Sequence, residues 1–329
     1  MSKKITLAYG GGGEETQRLI KELFFRHFGN PILEQGEDGA ALPSISRPVF
    51  TTDSFTISPL FFNGGDIGKL AAAGVINDLA VMGARPRYMS VSFIIEEGLE
   101  FEILERVVES LAQTARSVGV QIVTGDTKVV PKGGCDKLFI SGAGIGEQLI
   151  EVSCRNLRPG DLVVVSGDVG RHGAVVMAHR YGVETDLESD CKPIWREVSA
   201  LIGEGVKIKG MRDATRGGIS AVLNELAESS GVKIGVWEER IKVDPRVVGL
   251  SEIMGFEPLD LANEGTFVAV VAPEDGEKAV EILRQFNPNA SIIGKVEEWK
   301  KGGEVILYSP YGSSRYLELP KGELLPRIC

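Results

Sequence analysis

The sequence is poor in cysteine and has no long hydrophobic run. Its 329 residues include four cysteines, and no pair of them is spaced like the ligands of a zinc knuckle. So few cysteines in so long a chain exclude a disulfide-rich secreted scaffold. No apolar stretch approaches the roughly 20 residues of a membrane helix, so no membrane partner is expected. The N-terminal residues also lack the features of a signal peptide, and we expect a reduced, cytosolic protein.

Positive charge is also scarce. The chain has 36 Lys and Arg residues against 46 Asp and Glu residues, which gives a net charge of −10. An acidic chain lacks the electrostatic footprint of a nucleic-acid-binding protein, so we expect no nucleic-acid partner. A polyanionic ligand would have to be bound through metal ions or backbone amides.

Glycine is the residue in excess, and the remaining composition is that of a globular protein. There are 41 glycines in 329 residues, about 12% against the roughly 7% that is typical. The hydrophobic fraction of 43% is ordinary, and a chain of this length suggests about two domains. The periodicity predicts an N-terminal glycine-rich arm with a helix, a β-α-β-α-β-β domain, a second α+β domain and a mobile tail, at residues 1–40, 41–152, 153–318 and 319–329.

Two aspartates are predicted to follow directly after strands. The strand at residues 47–52 is expected to stop at Asp53, and the strand at residues 120–124 to stop just before Asp126. A carboxylate beyond a strand end lies at the sheet edge where ligands of α/β proteins collect. Converging carboxylates suit Mg²⁺, which shares its coordination shell with water and phosphates. Each aspartate can equally be an ordinary turn former.

Three further aspartates belong to the same stretch of chain. Asp38 lies in the loop before the first strand, and Asp66 stands where the helix at residues 68–82 would begin. For these two, a turn or a helix cap is the more ordinary role. Asp78 lies within the helix among apolar residues, where a lone carboxylate is costly unless it is paired.

Glycine-rich stretches precede two helices. The run Gly10–Gly13 can wrap phosphates with its amides or can act as a plain linker. Gly217 follows Arg216 and precedes a helix, so this arginine is placed to meet an anion at the helix N-terminus.

The last residue of the sequence, Cys329, is the sharpest candidate for chemistry. No serine nucleophile motif competes with it, and a prenylation box would need three further residues. A thiol on a mobile arm can travel between sites as a swinging group, but an idle terminal residue is equally compatible with the sequence. His172 is a weaker catalytic candidate, and Glu264 by itself has the pattern of a turn residue.

Several ordered motifs together resemble the HypE family of hydrogenase-maturation proteins. This family shares a superfamily with aminoimidazole ribonucleotide synthetase, selenophosphate synthetase and thiamine-phosphate kinase. The motifs that carry the resemblance are Thr51-Thr-Asp-Ser-Phe, Ser58-Pro-Leu-Phe-Phe-Asn-Gly-Gly-Asp-Ile-Gly-Lys-Leu-Ala71, Ile76-Asn-Asp-Leu-Ala, Thr124-Gly-Asp-Thr-Lys-Val129, Asp213-Ala-Thr-Arg-Gly-Gly218 and the tail Pro326-Arg-Ile-Cys329.

The resemblance implies a fold, an assembly and a binding site. The fold would be a two-domain α/β (α+β) arrangement like that of aminoimidazole ribonucleotide synthetase, with a flexible C-terminal tail and a homodimer formed through the N-terminal domains. ATP would lie in the cleft with Mg²⁺. The resemblance assigns the metal to Asp53, Asp78 and Asp126, and the nucleotide to Asp38, Asp66, Lys69, Gly10, Gly11, Gly12, Arg216 and Gly217.

The resemblance also implies a reaction on Cys329. The partner HypF would deliver a carbamoyl group to the sulfur, and ATP would activate the carbamoyl oxygen. Loss of phosphate would leave a thiocyanate, whose cyano group passes to iron on a HypC–HypD complex and becomes a ligand of a [NiFe]-hydrogenase. Lys128 and Glu264 are the candidates for orienting or deprotonating the thiocarbamate, with His172 behind them.

Two departures from the family's pattern and two alternative functions remain at the level of sequence. Gly11 stands where an alanine is common in the family's glycine arm. Ala214 stands where the family's motif has proline, which would only pre-set the turn. A related small-molecule kinase or phosphoryl-forming synthetase would share the aspartates without needing Cys329. A non-catalytic scaffold is the second alternative, but it would have no use for clustered like charges.

Overall fold

The N-terminal segment forms an interrupted helix against the first sheet of the computed structural model, which describes residues 4–320 and 327–329. Phe24 and Phe28 pack on Phe93 of that sheet, and the ring centroids of Phe24 and Phe93 are 5.0 Å apart. This stacking fixes the segment beside the sheet. Its elements are a 3-10 turn (Leu7–Gly10), α1 (Glu14–Leu19), a π-helical turn (Ile20–Phe25), α2 (Arg26–Phe28) and a second 3-10 turn (Leu33–Gln35).

The first domain is a four-stranded sheet with two helices on one face. Its elements are β1 (Pro48–Phe55), β2 (Phe61–Phe62), β3 (Gly65–Asp66), α3 (Ile67–Val81), β4 (Ala84–Glu96), α4 (Phe101–Ser117), β5 (Gln121–Val130) and β6 (Leu138–Gln148). The strand order is β1-β6-β4-β5, with only β4 and β5 parallel, while β2 and β3 form a separate ribbon. The predicted β-α-β-α-β-β order is confirmed, with the ribbon as an addition.

The helix α3 is buried on nearly every side because it lies between the first sheet and the second domain. Its apolar character all round is typical of a helix enclosed in a core. By contrast, α4 buries one face through Leu104, Val107 and Leu111 and leaves the opposite face to solvent. None of the helices in the described part of the chain is both long and apolar enough to cross a membrane.

The second face of the first sheet is open. Phe50 of β1 is 68% exposed and Ile94 of β4 is 38% exposed on this face. Phe50 lies opposite Ile145 of β6 and Ile94 opposite Phe139, so apolar side chains extend across three strands. The sheet therefore presents an uncovered, partly apolar surface.

The second domain is a seven-stranded sheet with helices around it. The strand order is β13-β12-β9-β11-β7-β10-β8, and β10 is buried along its whole length. The elements are β7 (Leu162–Val165), α5 (Arg171–Tyr181), α6 (Trp195–Gly203), β8 (Ile208–Asp213), α7 (Gly218–Ser230), β9 (Val232–Trp237), α8 (Pro245–Met254), β10 (Phe267–Val271), α9 (Gly276–Arg284), β11 (Ser291–Trp299), β12 (Glu304–Tyr308) and β13 (Ser314–Tyr316).

One apolar core crosses from the first domain to the second. It contains Ile67 and Leu70 of α3 together with Val175 and Ala178 of α5, and all four are fully buried. The two domains therefore share a packed interface, and the cleft lies next to it.

The strands that carry the two aspartates are longer than predicted. Asp53 lies within β1 and pairs with Gly142, and Asp126 lies within β5 and pairs with Ser92. The prediction that each strand stops at its aspartate was wrong, because the neighbouring strand continues and keeps both backbones in the ladder. A further strand, β8, was not predicted, since the glycine and charged residues in it obscure the alternation.

Candidate active site

The last three residues of the chain lie in the cleft between the two domains. The backbone oxygen of Cys329 accepts a hydrogen bond from Thr56 N at 3.0 Å, and that of Ile328 accepts one from His172 Nε2 at 2.8 Å. Arg180 donates to the backbone oxygen of Arg327. The side chain of Ile328 is 2% exposed. The predicted mobile tail thus ends in a docked segment, while residues 321–326 of it lie outside the described residues.

The Arg327 side chain adds three contacts to the same docking. Its Nε donates to Thr56 O at 2.7 Å, and its Nη1 donates to Asp136 Oδ2 at 2.7 Å. The guanidinium lies over the ring of Phe139 at 5.5 Å from the centroid. These contacts all belong to the first domain, so this arginine holds the tail from one side of the cleft.

The Cys329 thiol is surrounded by ionisable groups. Burial, followed by the charges of Glu264, Asp53 and Asp213, raises the pKa of the Cys329 thiol to about 12, although the charge of Arg216 opposes this rise. A docked thiol is therefore protonated at neutral pH and is a poor nucleophile in this position. The surroundings suit an uncharged sulfur or a sulfur that already carries a neutral group.

Glu264 is the carboxyl that dominates these surroundings. It is 2% exposed, and its Oε1 has no hydrogen-bond partner among the described residues. Burial, followed by the charges of Asp213, Asp190 and Asp53, raises the pKa of Glu264 well above its usual value. Its backbone is fixed because the amides of Glu264 and Gly265 donate to the two Asp190 oxygens at 3.1 and 3.0 Å. A buried carboxyl of this kind takes up a proton readily.

Three aspartates gather beside this pair from different elements. Asp78 of α3 accepts a hydrogen bond from Thr51 Oγ1 at 2.6 Å, and burial and then Asp53 raise the pKa of Asp78. Burial, followed by Asp78 and Asp53, raises the pKa of Asp213 to about 7. Asp53 approaches α3 at Gly74, where a Cβ atom would stand 3.8 Å from Asp53 Oδ2. Gly74 of α3 therefore makes room for β1.

Sequence reasoning did not assign Asp213 to the cluster. The residue ends β8, and its signal was the motif Asp213-Ala-Thr-Arg-Gly-Gly218 at the start of α7. Gly217 and Gly218 have φ angles of 78° and 58°, and a Cβ on Gly218 would lie 2.3 Å from Leu259 O. The two left-handed glycines turn the chain into α7, and the charge of Arg216 just before them acts on Cys329 and Glu264 in the cleft.

The structure gives Asp66 and Lys69 local partners. The Asp66 side chain caps α3 and accepts from the amides of Gly68 and Lys69 at 2.7 and 3.2 Å. Lys69 Nζ donates to Gly64 O at 2.7 Å. The helix cap that the sequence offered as the ordinary role of Asp66 is the role seen here.

The remaining predicted ligands lie at the opposite edge of the first sheet. Asp126 accepts from Lys128 Nζ at 3.0 Å, which lowers the Asp126 pKa. Asp126 also borders a cavity of about 420 Å³ beside α1. Glu37 and Gly39, the sequence neighbours of Asp38, line the same cavity. In register, Asp53 is level with Gly125 across three strand spacings, about 14 Å.

The glycine-rich arm lies at the same edge. A Cβ on Gly10 would stand 2.8 Å from Val129 N of β5, so glycine is needed for this approach. Gly11 N donates to Ala8 O at 3.3 Å, and Gly12 N donates to Thr16 Oγ1 at 3.0 Å. The arm is thus folded on itself against β5.

One chain therefore holds two separate groups of candidate residues. The cleft brings together Cys329, Glu264, Arg216, Asp53, Asp78 and Asp213, while β5 carries Asp126 and Lys128 with the glycine-rich arm beside it. Within residues 4–320 and 327–329, no three His, Cys, Asp or Glu side chains are arranged to hold a metal ion by themselves.

His172 is a donor to the tail. Its Nε2 must carry the proton because the Ile328 carbonyl can only accept, and Nδ1 then accepts from Ser189 Oγ at 2.8 Å. Burial lowers the pKa of His172 to about 4, so the ring is neutral at physiological pH. With both ring nitrogens engaged, His172 is not placed as a free base.

Comparisons with known proteins place the fold in a defined class. A family model of the AIR synthase related protein N-terminal domain matches residues 36–148, and one of the corresponding C-terminal domain matches residues 158–306. The chain thus has the paired domains of the AIR synthase related proteins, which confirms the two-domain α/β expectation.

Whole-chain relatives narrow the class. The carbamoyl dehydratase HypE of Escherichia coli (strain K12) is 44% identical over 340 residues, covering 99% of each chain. A crystal structure of the hydrogenase maturation protein HypE in complex with ATP has a TM-score of 0.96 and 43% identity, covering 98% of this chain and 99% of that one. A HypE–HypF complex structure gives 0.80 and 43%, covering 92% and 99%. The chain belongs to the HypE family of carbamoyl dehydratases, which confirms the resemblance of its motifs.

Proposed function

We propose that this protein dehydrates an S-carbamoyl group on Cys329 to a thiocyanate at the expense of ATP. The product would supply the cyanide ligands of [NiFe]-hydrogenase iron during maturation. The observation that carries the proposal is the docking of Cys329 beside the buried carboxyl of Glu264 and the aspartate cluster. The curated names of the relatives and the HypE–ATP structure support it.

The chemistry removes one oxygen and two protons from the carbamoyl group. The carbamoyl oxygen attacks the γ-phosphorus of ATP, ADP leaves, and the oxygen becomes a phosphate ester. Loss of that phosphate and of both N–H protons leaves Cys329–S–C≡N with free phosphate. In-line phosphoryl transfer needs positioning and cations, whereas the nitrogen needs a base.

Glu264 is the base that the cleft offers. Its unpartnered Oε1 and its raised pKa make the ionised form a strong acceptor for a proton of the carbamoyl nitrogen. Arg216, whose charge opposes that pKa rise, favours the ionised form and would meet the developing phosphate charge. The sulfur of carbamoylated Cys329 is uncharged, and it therefore suits a position in which the free thiol stays protonated.

Mg²⁺ would be held by Asp53 and Asp78, with Asp213 beside them. The fit rests on the mutual repulsion of these carboxyls, which raises the pKa of Asp78 and Asp213 and which a divalent cation relieves. A metal with few protein ligands completes its shell with phosphate oxygens and water. Bound there, Mg²⁺ neutralises phosphate charge.

The residues on β5 would join the cleft through a homodimer. Asp126 and Lys128 are about three strands away from Asp53 in one chain, so a second copy has to supply them if they share its site. The open face of the first sheet, with Phe50 exposed, is the surface that we propose for this contact. We also propose that the nucleotide in this assembly is contacted by Asp38, Asp66, Lys69, Gly10, Gly11, Gly12 and Gly217.

The partners follow from the reaction. We propose HypF as the carbamoyl donor, which the HypE–HypF complex structure of relatives supports. A HypC–HypD complex would accept the cyanide, and the whole sequence would take place in the cytosol.

Mass spectrometry of the C-terminal peptide tests the proposal. Incubation with HypF, carbamoyl phosphate and ATP should add one carbamoyl group to Cys329 and then remove one water. Glu264→Gln should stop at the carbamoyl form, since a base of this kind contributes about a hundredfold or more. Cys135→Ala serves as the matched control and should behave as wild type. An unmodified Cys329 in a preparation that still supports cyanide transfer would contradict the mechanism.

A further inference from the structure

Each backbone oxygen of the docked segment accepts a hydrogen bond from the body of the protein. Thr56 N and Ser58 N, both from the first domain, donate to the oxygens of Cys329 and Arg327. His172 and Arg180, both from α5 of the second domain, donate to the oxygens of Ile328 and Arg327. The tail is therefore held by its main chain between two walls.

His172 is the donor with the most constrained surroundings. It is fully buried, its ring meets Phe62 edge-on at 5.2 Å between centroids, and Ser189 Oγ fixes its tautomer. Ser189 Oγ in turn accepts from Cys191 N at 3.1 Å. The imidazole can therefore neither rotate nor exchange its donor nitrogen without breaking a second hydrogen bond.

The start of α5 is bonded to the segment that carries Glu264. Gly173 N donates to Ala262 O at 2.9 Å, and Gly170 N donates to Asn263 Oδ1 at 2.6 Å. A Cβ on Gly173 would stand 2.9 Å from Ala262 N, so the two backbones are in contact. His172, between these two glycines, thus connects Ile328 to the residues directly before Glu264 by short rigid links.

We propose that His172 is a positioning residue that sets the Cys329 sulfur against Glu264 for the dehydration step. It does so by donating Nε2–H to the Ile328 carbonyl from the same helix start that fixes the backbone before Glu264. Arg180 supports it at the next carbonyl along the tail. The role rests on the proposed function, but the docking itself can be measured without any turnover.

A pair of variants at this position separates the hydrogen bond from the packing. His172→Phe keeps a ring but removes the donor, and His172→Gln keeps a side-chain N–H near the position of Nε2. In the full-length protein without nucleotide, iodoacetamide labelling of Cys329 should become about tenfold faster in His172→Phe and stay near wild type in His172→Gln. Labelling of Cys154, a partly exposed free cysteine whose thiol contacts Met211 O rather than the tail, serves as the internal control in the same samples and should not change.

The second readout is a single turnover of protein that already carries the carbamoyl group. His172→Phe should slow formation of the cyano form about tenfold to a hundredfold, with an unchanged ATP concentration at half-saturation, and His172→Gln should restore the rate. Faster labelling with an unchanged dehydration rate would refute the positioning role. Faster Cys329 labelling in His172→Phe, together with a wild-type protein that never dehydrates the carbamoyl group, would refute the proposed function alone.

Because the His172 site is buried, thermal melting is used to check that each variant folds. If His172→Phe does not fold, Arg180→Met tests the same docking of the tail from a half-buried position, and Arg180→Lys is the conservative control. Arg180→Met should make the labelling of Cys329 by iodoacetamide at least severalfold faster and leave the labelling of Cys154 unchanged. Wild-type labelling of Cys329 in a folded His172→Phe or Arg180→Met protein would overturn the proposal.

Discussion

At the scale of single residues, the cleft favours neutral groups. Burial and the surrounding carboxyls keep the Cys329 thiol protonated and raise the pKa of Glu264, so that this carboxyl takes up a proton readily. A thiol is loaded with an acyl-type group through its thiolate, so loading requires the tail to leave this position. The docked and undocked positions thus divide the reaction between a nucleophilic and a dehydrating stage.

The reactivity of Cys329 should therefore depend on pH in an unusual way. A pKa of about 12 means that the thiolate fraction of the docked residue rises tenfold per pH unit without levelling off up to pH 10. The unfolded chain in guanidinium should level off above the ordinary thiol pKa of about 8.5. Iodoacetamide labelling rates of Cys329, followed by mass spectrometry between pH 6 and pH 10, measure both curves. A native curve that levels off near pH 8.5 would show that the thiol is not held in the cleft.

Sequence patterns located many of these residues but not their grouping. Asp53, Asp78, Arg216 and Cys329 were singled out, and the cleft unites them. The sequence cannot show that Asp126 stands about 14 Å from Asp53, because this distance depends on the strand order β1-β6-β4-β5.

At the scale of elements, periodicity predicted most strands and most helices but not α8, and it missed what tertiary contacts decide. The strands β1 and β5 extend past their aspartates because the neighbouring strands continue to pair with them. His172 gave no signal for its role, since its partner Ile328 is 156 residues away in sequence. The family motifs supply part of the information that periodicity lacks, because their order along the chain implies the fold.

The start of α7 offers a test at this scale. Gly218 has a φ of 58° and lies against Leu259 O, so Gly218→Ala should destabilise the protein by about 2 kcal/mol or more. Gly249 in the middle of α8 is the matched control, because a Cβ there meets nothing within 4 Å. Gly249→Ala should be neutral or stabilising by about 0.5 to 1 kcal/mol. Urea unfolding of both variants gives the two values, and equal values would contradict the close approach at Gly218.

At the scale of the whole molecule, the open face of the first sheet decides how the candidate residues combine. This face includes one side of β5, the strand that carries Asp126 and Lys128, and it is the side of the sheet opposite to α3. A single chain keeps the two groups apart. An assembly that covers this face is therefore part of the site that we propose.

A charge placed on the open face should separate the proposed dimer. The Phe50 side chain is 68% exposed, so Phe50→Glu should leave the fold intact and halve the mass measured by light scattering after gel filtration. Dehydration should fall with it, because Asp126 and Lys128 would lose the second copy. Tyr311→Glu is the control, since Tyr311 is 94% exposed in the second domain. A wild-type protein with the mass of one chain would refute the interface.

Docking of the tail also depends on the distance between the two domains. Its three carbonyls are shared between Thr56 and Ser58 on one wall and α5 on the other, so the full set of bonds forms at one width of the cleft. Tail occupancy and interdomain distance are then thermodynamically linked, and the linkage is reciprocal. A ligand that draws the walls to this width retains the tail, and a partner that extracts the tail frees the domains to move apart.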